Sequence, residues 1–66
     1  MNQEKVAEFI RKIRKEHHLT QAELASKYGV TYQAVSKWEN GKNIPDISIL
    51  KQMCEDFQVD LNDLLE

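Results

Sequence analysis

Tyr32, Gln33, Ser36, Lys37 and Asn40 are the side chains in this sequence best placed to do chemistry together. On a helical wheel at about 100° per residue they fall within an arc of roughly 140°. Val35 and Trp38 fall on the opposite side. Apart from Lys37 the arc is uncharged, yet each member can donate or accept a hydrogen bond. Glutamine and asparagine pair with adenine, lysine with guanine, and serine with several base edges. A helix face that merely meets water is more often crowded with glutamate and lysine. The chemistry on offer is hydrogen-bonded reading of base edges, with no bond made or broken.

Such an arc needs a short helix held from behind. Residues 21–40 have that form, two short helices joined by a turn. Leu24, Ala25, Val30, Val35 and Trp38 supply its core, with Tyr28 at the contact between the two helices. Gly29 offers the positive φ that stops the first helix, and Thr31 stands where the second needs an N-cap. The pair then packs at a steep angle and leaves one side of the second helix free to enter a groove. Thr20-Gln21-Ala22-Glu23 is a capping box. Upstream, Val6, Phe9, Ile10, Ile13 and His17 trace an amphipathic stripe that predicts a first helix ending near His17–His18. Downstream, Lys42-Asn43-Ile44-Pro45 reads as a loop, because the residue before proline disfavours helix. Asp46 is placed to cap a fourth helix with Ile47, Leu50, Met53, Cys54 and Phe57 at helical spacing. Asp60 is placed to cap a last short helix carrying Leu61, Leu64 and Leu65. No segment alternates with period two, so no sheet is expected. The expectation is an all-α fold, five helices around one core, in a single domain over residues 1–66.

Composition narrows the classes further. With 66 residues, nearly every apolar side chain must serve one small core. A single cysteine allows no intramolecular disulfide and no cysteine-built zinc site, which fits a reducing cytoplasm. No apolar run exceeds two residues, so no membrane contact is expected from this segment. The formal charge of −2 hides an asymmetry. Residues 1–43 hold eight Lys/Arg against five Asp/Glu, whereas residues 44–66 hold one lysine against six acids. One face can therefore meet phosphates while another stays acidic.

Other reactive-looking residues have plainer readings. Trp38 lies opposite the polar arc and reads as core. Cys54 sits on an apolar stripe and reads as an inert buried thiol. His17 and His18 are adjacent, so they do not share a helix face and make a poor metal pair; His17 better serves the helix C-terminus. Glu55, Asp56, Asp60, Asp63 and Glu66 read as a solvated or capping set. No Ser-His-Asp constellation, phosphate-cradling glycine loop or metal motif occurs. Neither an enzyme nor a cofactor is expected.

The chain from residue 5 to 65 resembles the Cro/C1-type (XRE-like) helix-turn-helix domain of bacterial and phage repressors, a lambda-repressor-like fold. The resemblance is carried by Leu19-Thr20-Gln21, Glu23-Leu24-Ala25, Gly29-Val30-Thr31, Val35-Ser36-Lys37-Trp38-Glu39-Asn40-Gly41, Ile44-Pro45-Asp46 and the closing Leu61…Leu64-Leu65. It implies base contacts at Tyr32, Gln33 and Lys37, to which the polar arc itself adds Ser36. It implies phosphate contacts at Thr20, Gln21, Asn40, Lys42 and Asn43, with Gln21 also bracing the start of the recognition helix. Arg14 and Glu39 are implied to form a partly buried ion pair. Two positions depart from the family's usual glycine: His18, and Gln58 after the fourth helix.

The function expected is sequence-specific binding of double-stranded DNA by a transcriptional regulator, a repressor by preference. One recognition helix reads few base pairs, so a homodimer on a pseudo-palindromic operator is expected. Val59, Leu61, Leu64 and Leu65 are the candidate dimer contacts, being more apolar surface than a short last helix can bury. The sequence stops just past a family-typical domain end, which suggests the N-terminal domain of a longer protein. The alternative is a protein-binding adaptor of the same fold, such as an antitoxin, docking through the acidic second half.

Overall fold

Each helix opens on a side chain that accepts hydrogen bonds and closes on a residue with left-handed backbone. The computed structural model describes residues 2–65; Glu66 lies outside them. Asn2 Oδ1 accepts the N–H groups of Glu4 and Lys5 at 3.0 and 3.1 Å and starts α1 (Gln3–Glu16). Thr20 starts α2 (Gln21–Lys27) with a reciprocal box: its hydroxyl accepts the Glu23 N–H at 3.0 Å, and Glu23 Oε1 accepts the Thr20 N–H at 2.8 Å. Thr31 caps α3 (Tyr32–Glu39) and Asp46 caps α4 (Ile47–Asp56). These contacts satisfy N–H groups that a helix leaves without partners.

The four C-termini share one hydrogen-bond pattern. The N–H groups of Leu19, Val30, Lys42 and Val59 reach back to the carbonyls of Arg14, Ala25, Lys37 and Cys54 at 2.8–3.1 Å. Each bond closes over a positive-φ residue: His18 (φ 55°), Gly29 (66°), Gly41 (70°) and Gln58 (58°). This is the Schellman ending, which favours glycine at its left-handed position. Two of the four, His18 and Gln58, hold it with a Cβ, which strains the backbone there.

The structure corrects the expected fifth helix. Among the described residues there are four α-helices, and Asp60 caps only a single 3-10 turn, Leu61–Leu64. The Asp63 N–H bonds the Asp60 carbonyl at 3.0 Å, and Leu65 bonds Asn62 at 3.3 Å. Four residues form too few bonds to repay helix nucleation, so the turn tightens to i→i+3 bonding.

α1 buries Val6, Ala7, Phe9, Ile10 and Ile13; α2 buries Leu24 and Ala25; α3 buries Val35 and Trp38; α4 buries Leu50, Met53 and Cys54. Leu64 of the 3-10 turn completes this core, and Leu19, Tyr28 and Val30 pack against it. Val30 is thus at the core's edge, half-buried. His17 leaves the α1 stripe: it is exposed, serves as the C-cap, and lays its ring against Phe57 with centroids 4.8 Å apart. Ile47 also departs from expectation, at 51% exposure. It lies about 70° off the centre of the buried arc of α4. Buried Pro45 and half-buried Ile44 close that edge of the core instead.

Candidate nucleic-acid interface

The structure leaves the polar arc of α3 uncovered. Tyr32 is 55% exposed, and Gln33, Lys37 and Asn40 are exposed as well. Ser36, half-buried, is tied to the next turn by Asn40 Nδ2 donating to its hydroxyl at 3.4 Å. Beneath them Val35 is fully buried and Trp38 is 5% exposed. Burial of the indole and valine sets the rotation of α3 about its axis, and that rotation aims the arc outward. The Thr31 hydroxyl accepts the Ala34 N–H at 3.3 Å and fixes where the helix starts.

Behind the arc lies an ionic knot. Glu39, only 5% exposed, takes a two-pronged contact from Arg14: Nε to Oε2 at 2.6 Å and Nη2 to Oε1 at 3.0 Å. Arg14 Nη1 also donates to the Leu19 carbonyl at 3.0 Å, in the link between α1 and α2. The hydrogen bond to Glu39, with its charge, raises the Arg14 pKa further above the ordinary range, against the opposing effect of burial. The knot includes two members beyond the pair. Gln21 Nε2 donates to Glu39 Oε1 at 3.3 Å, so its amide braces the end of α3 rather than its start. Arg11 Nη1 donates to the Glu39 backbone carbonyl, one of the acceptors left open at a helix C-terminus. Arg11 escaped the sequence reading, although its place three residues before Arg14 puts both guanidinium groups on one face of α1.

The remaining polar candidates flank the arc. Thr20 keeps its hydroxyl hydrogen free for a further acceptor, because the oxygen itself accepts the Glu23 N–H. Lys42 and Asn43 are exposed in the loop after Gly41, and the Lys42 N–H is spent on the Lys37 carbonyl at 3.0 Å. Thr20 and Gln21 at the start of α2, and Asn40–Asn43 after α3, thus bracket the polar arc in the chain.

A helix-turn-helix family profile matches residues 10–64. The chain belongs to the Cro/C1-type helix-turn-helix family. This domain is similar to the HTH-type transcriptional activator BcrR of Enterococcus faecalis, 38% identical over 58 residues, covering 88% of this chain and 28% of that protein. It is also similar to the antitoxin PezA of Streptococcus pneumoniae serotype 4, 32% identical over 56 residues, covering 85% of this chain and 35% of that protein. The helix-turn-helix chain thus spans about a third of the length of these relatives. No solved structure matches it.

The candidate dimer contacts of this helix-turn-helix domain are dispersed. Leu64 is buried in the chain's own core, and Val59 and Leu61 are half-buried against it. Leu65 alone keeps a large apolar surface, at 43% exposure. The 3-10 turn folds back instead of projecting, helped by the Asn2 N–H meeting the Leu64 carbonyl at 3.3 Å. Tyr28 is also reassigned: its hydroxyl donates to Asp56 Oδ2 on α4 at 2.7 Å, while Gln52 Nε2 donates to Oδ1 at 2.9 Å. Cys54 is buried, and that burial pushes its thiol pKa up, away from thiolate chemistry. Among the described residues no cluster of three His, Cys, Asp or Glu could hold a metal, and no helix is long and apolar enough to cross a membrane.

Proposed function

We propose that this domain binds double-stranded DNA sequence-specifically, with α3 in the major groove, as the operator-reading part of a transcriptional regulator. The observation that carries this reading is the outward arc of Tyr32, Gln33, Ser36 and Lys37 over buried Val35 and Trp38. Gln33, Ser36 and Lys37 discriminate bases, and Tyr32 offers its ring to a thymine methyl or its hydroxyl to a phosphate. Thr20, Gln21, Asn40, Lys42 and Asn43 hold the backbone and set register without reading sequence. Two copies bind a pseudo-palindrome with half-site centres about 10 bp apart or a multiple of that. Repression is the simplest output, because a domain seated over a promoter excludes polymerase without further contacts. The enterococcal relative's name, an activator, sets the opposite outcome for a reporter assay.

Selection of bound duplexes from a random pool supplies the operator, and two variants then test the roles. Gln33→Ala is expected to relax preference at one base position by about 1–3 kcal/mol. Lys42→Ala is expected to weaken operator and random duplex alike and to lower the salt slope by about one. Exchanged behaviour of the two variants defeats the assignment.

A second reading draws on the similarity to an antitoxin and on the acidic residues 44–66. There the fold holds a protein partner through α4 and the 3-10 turn. Absence of affinity for any duplex at low salt favours it over the first.

A further inference from the structure

The Gln21 amide and the Glu39 carboxylate are 18 residues apart in sequence and hydrogen-bonded at 3.3 Å, with Glu39 nine-tenths buried and clamped by Arg14. We infer that the Arg14–Glu39 pair is a positioning device for DNA binding: it holds the Gln21 side chain in one rotamer, aimed at a backbone phosphate. The inference rests on the proposed role of Gln21 as a phosphate contact and adds to it the residues that orient it.

The hydrogen-bond inventory supports this. Glu39 Oε2 receives Arg14 Nε, while Oε1 receives both Arg14 Nη2 and Gln21 Nε2. Arg14 alone supplies the charge the carboxylate needs, so the Gln21 contact is not required to neutralise it. For Gln21 the contact matters more. A free glutamine is rich in rotamers, and fixing one costs affinity when it happens on binding. The Glu39 contact uses one of its two amide hydrogens and leaves the other, with the carbonyl oxygen, unspent. A phosphate oxygen accepting that second hydrogen meets a donor already in place. The knot also spans the link after α1, through the Leu19 carbonyl, and the end of α3, through Arg11. The phosphate contact and the recognition helix are thereby held in one frame.

The test replaces the pair without leaving a lone buried charge. Arg14→Met/Glu39→Met substitutes apolar side chains of similar length, a kind of exchange that often preserves folding. Affinity for the selected operator and for random duplex is measured for the parent, this double variant, Gln21→Met and the triple variant, at a temperature where melts show all four folded. The double variant is expected to lose about two- to tenfold on both duplexes, in line with ordering one flexible side chain on binding. Base preference should stay unchanged. In the Gln21→Met background the same replacement should cost nothing more. The salt slope should also hold, because a neutral amide releases no counterion. In the free domain the Gln21 side-chain amide resonances should shift when the pair is replaced.

Equal losses with and without Gln21, or no loss in the double variant, overturn the inference while the DNA-binding reading stands. A salt slope lowered by about one would show Arg14 itself meeting a phosphate, and overturns it too. A parent that binds no duplex at low salt removes both. If the double variant fails to fold, Gln21→Met and the amide resonances decide: loss of duplex affinity with amide signals distinct from those of free glutamine supports positioning, and random-coil signals overturn it.

Discussion

At the scale of single residues, Glu39 is the position where stability and orientation meet. It is a carboxylate at 5% exposure that survives burial because Arg14 and Gln21 satisfy both of its oxygens. Glu39→Gln removes the charge and leaves Arg14 without its counterion. Breaking a fully buried pair costs about 3–5 kcal/mol. Arg14 keeps some contact with solvent and glutamine still accepts a hydrogen bond, so about 2–3 kcal/mol is expected here. In a domain of this size that lowers the melting temperature by more than about 10 °C. Sequence preference among bound duplexes should change less than folding does. A thermal melt superimposable on the parent's removes the structural role. The Arg14–Glu39 meeting was implied in the sequence by resemblance. Arg11 and the Gln21–Glu39 bond were not: spacing sets Arg11 on the face of Arg14, but only packing brings Glu39 within reach of Arg11 and Gln21.

At the scale of elements, two helix ends carry strain that the other two avoid. Gly29 and Gly41 enter the left-handed region freely, whereas His18 and Gln58 do so with a Cβ. That conformation costs roughly 1–2 kcal/mol for an L-residue. Replacing either by glycine relieves this, but returns about 0.4–1 kcal/mol through a freer unfolded chain. His18→Gly and Gln58→Gly should each stabilise by about 0.5–1 kcal/mol, read as a rise of a few degrees in a thermal melt. Unchanged or lowered melting temperatures in both would show that the side chains offset the strain. The two ends are neighbours, since His17 packs on Phe57, so the double variant need not be the sum of the singles. The helix starts were legible because capping is local: Thr20, Thr31 and Asp46 need only their own next turn. The last element was misread for the same reason. Asp60 announces a helix, but the turn it caps covers only Leu61–Leu64 and is bonded i→i+3.

At the scale of the molecule, the clasp of Tyr28 and Asp56 joins the helix-turn-helix to α4. The Tyr28 hydrogen bond, with help from Gln52 and Lys27, lowers the Asp56 pKa; burial chiefly, with the Asp56 bond, raises that of Tyr28. The signs give a window. A carboxylate whose folded pKa is lowered stabilises the fold above its ordinary pKa of about 4 and stops doing so as acid protonates it. A phenol whose folded pKa is raised stabilises below its ordinary value of about 10 and stops as base removes its proton. Comparing Tyr28→Phe with the parent, the melting-temperature difference should be level from about pH 6 to 9 and shrink near about pH 3. A difference that persists undiminished in acid would show that the clasp does not depend on the carboxylate charge.

The helix starts at Thr20, Thr31 and Asp46, the apolar stripes apart from His17 and Ile47, and the polar arc of α3 were determined by the sequence alone, because each depends on contacts within a turn or two of the chain. Tertiary packing decided what those elements share. It placed Leu64 in the core instead of on a dimer face, left Ile47 in water, and sent Tyr28 across to α4. It also drew Arg11, Arg14 and Gln21 onto Glu39. Such outcomes depend on how several helices divide one small apolar volume and one buried charge, and that division exists only once they are packed together.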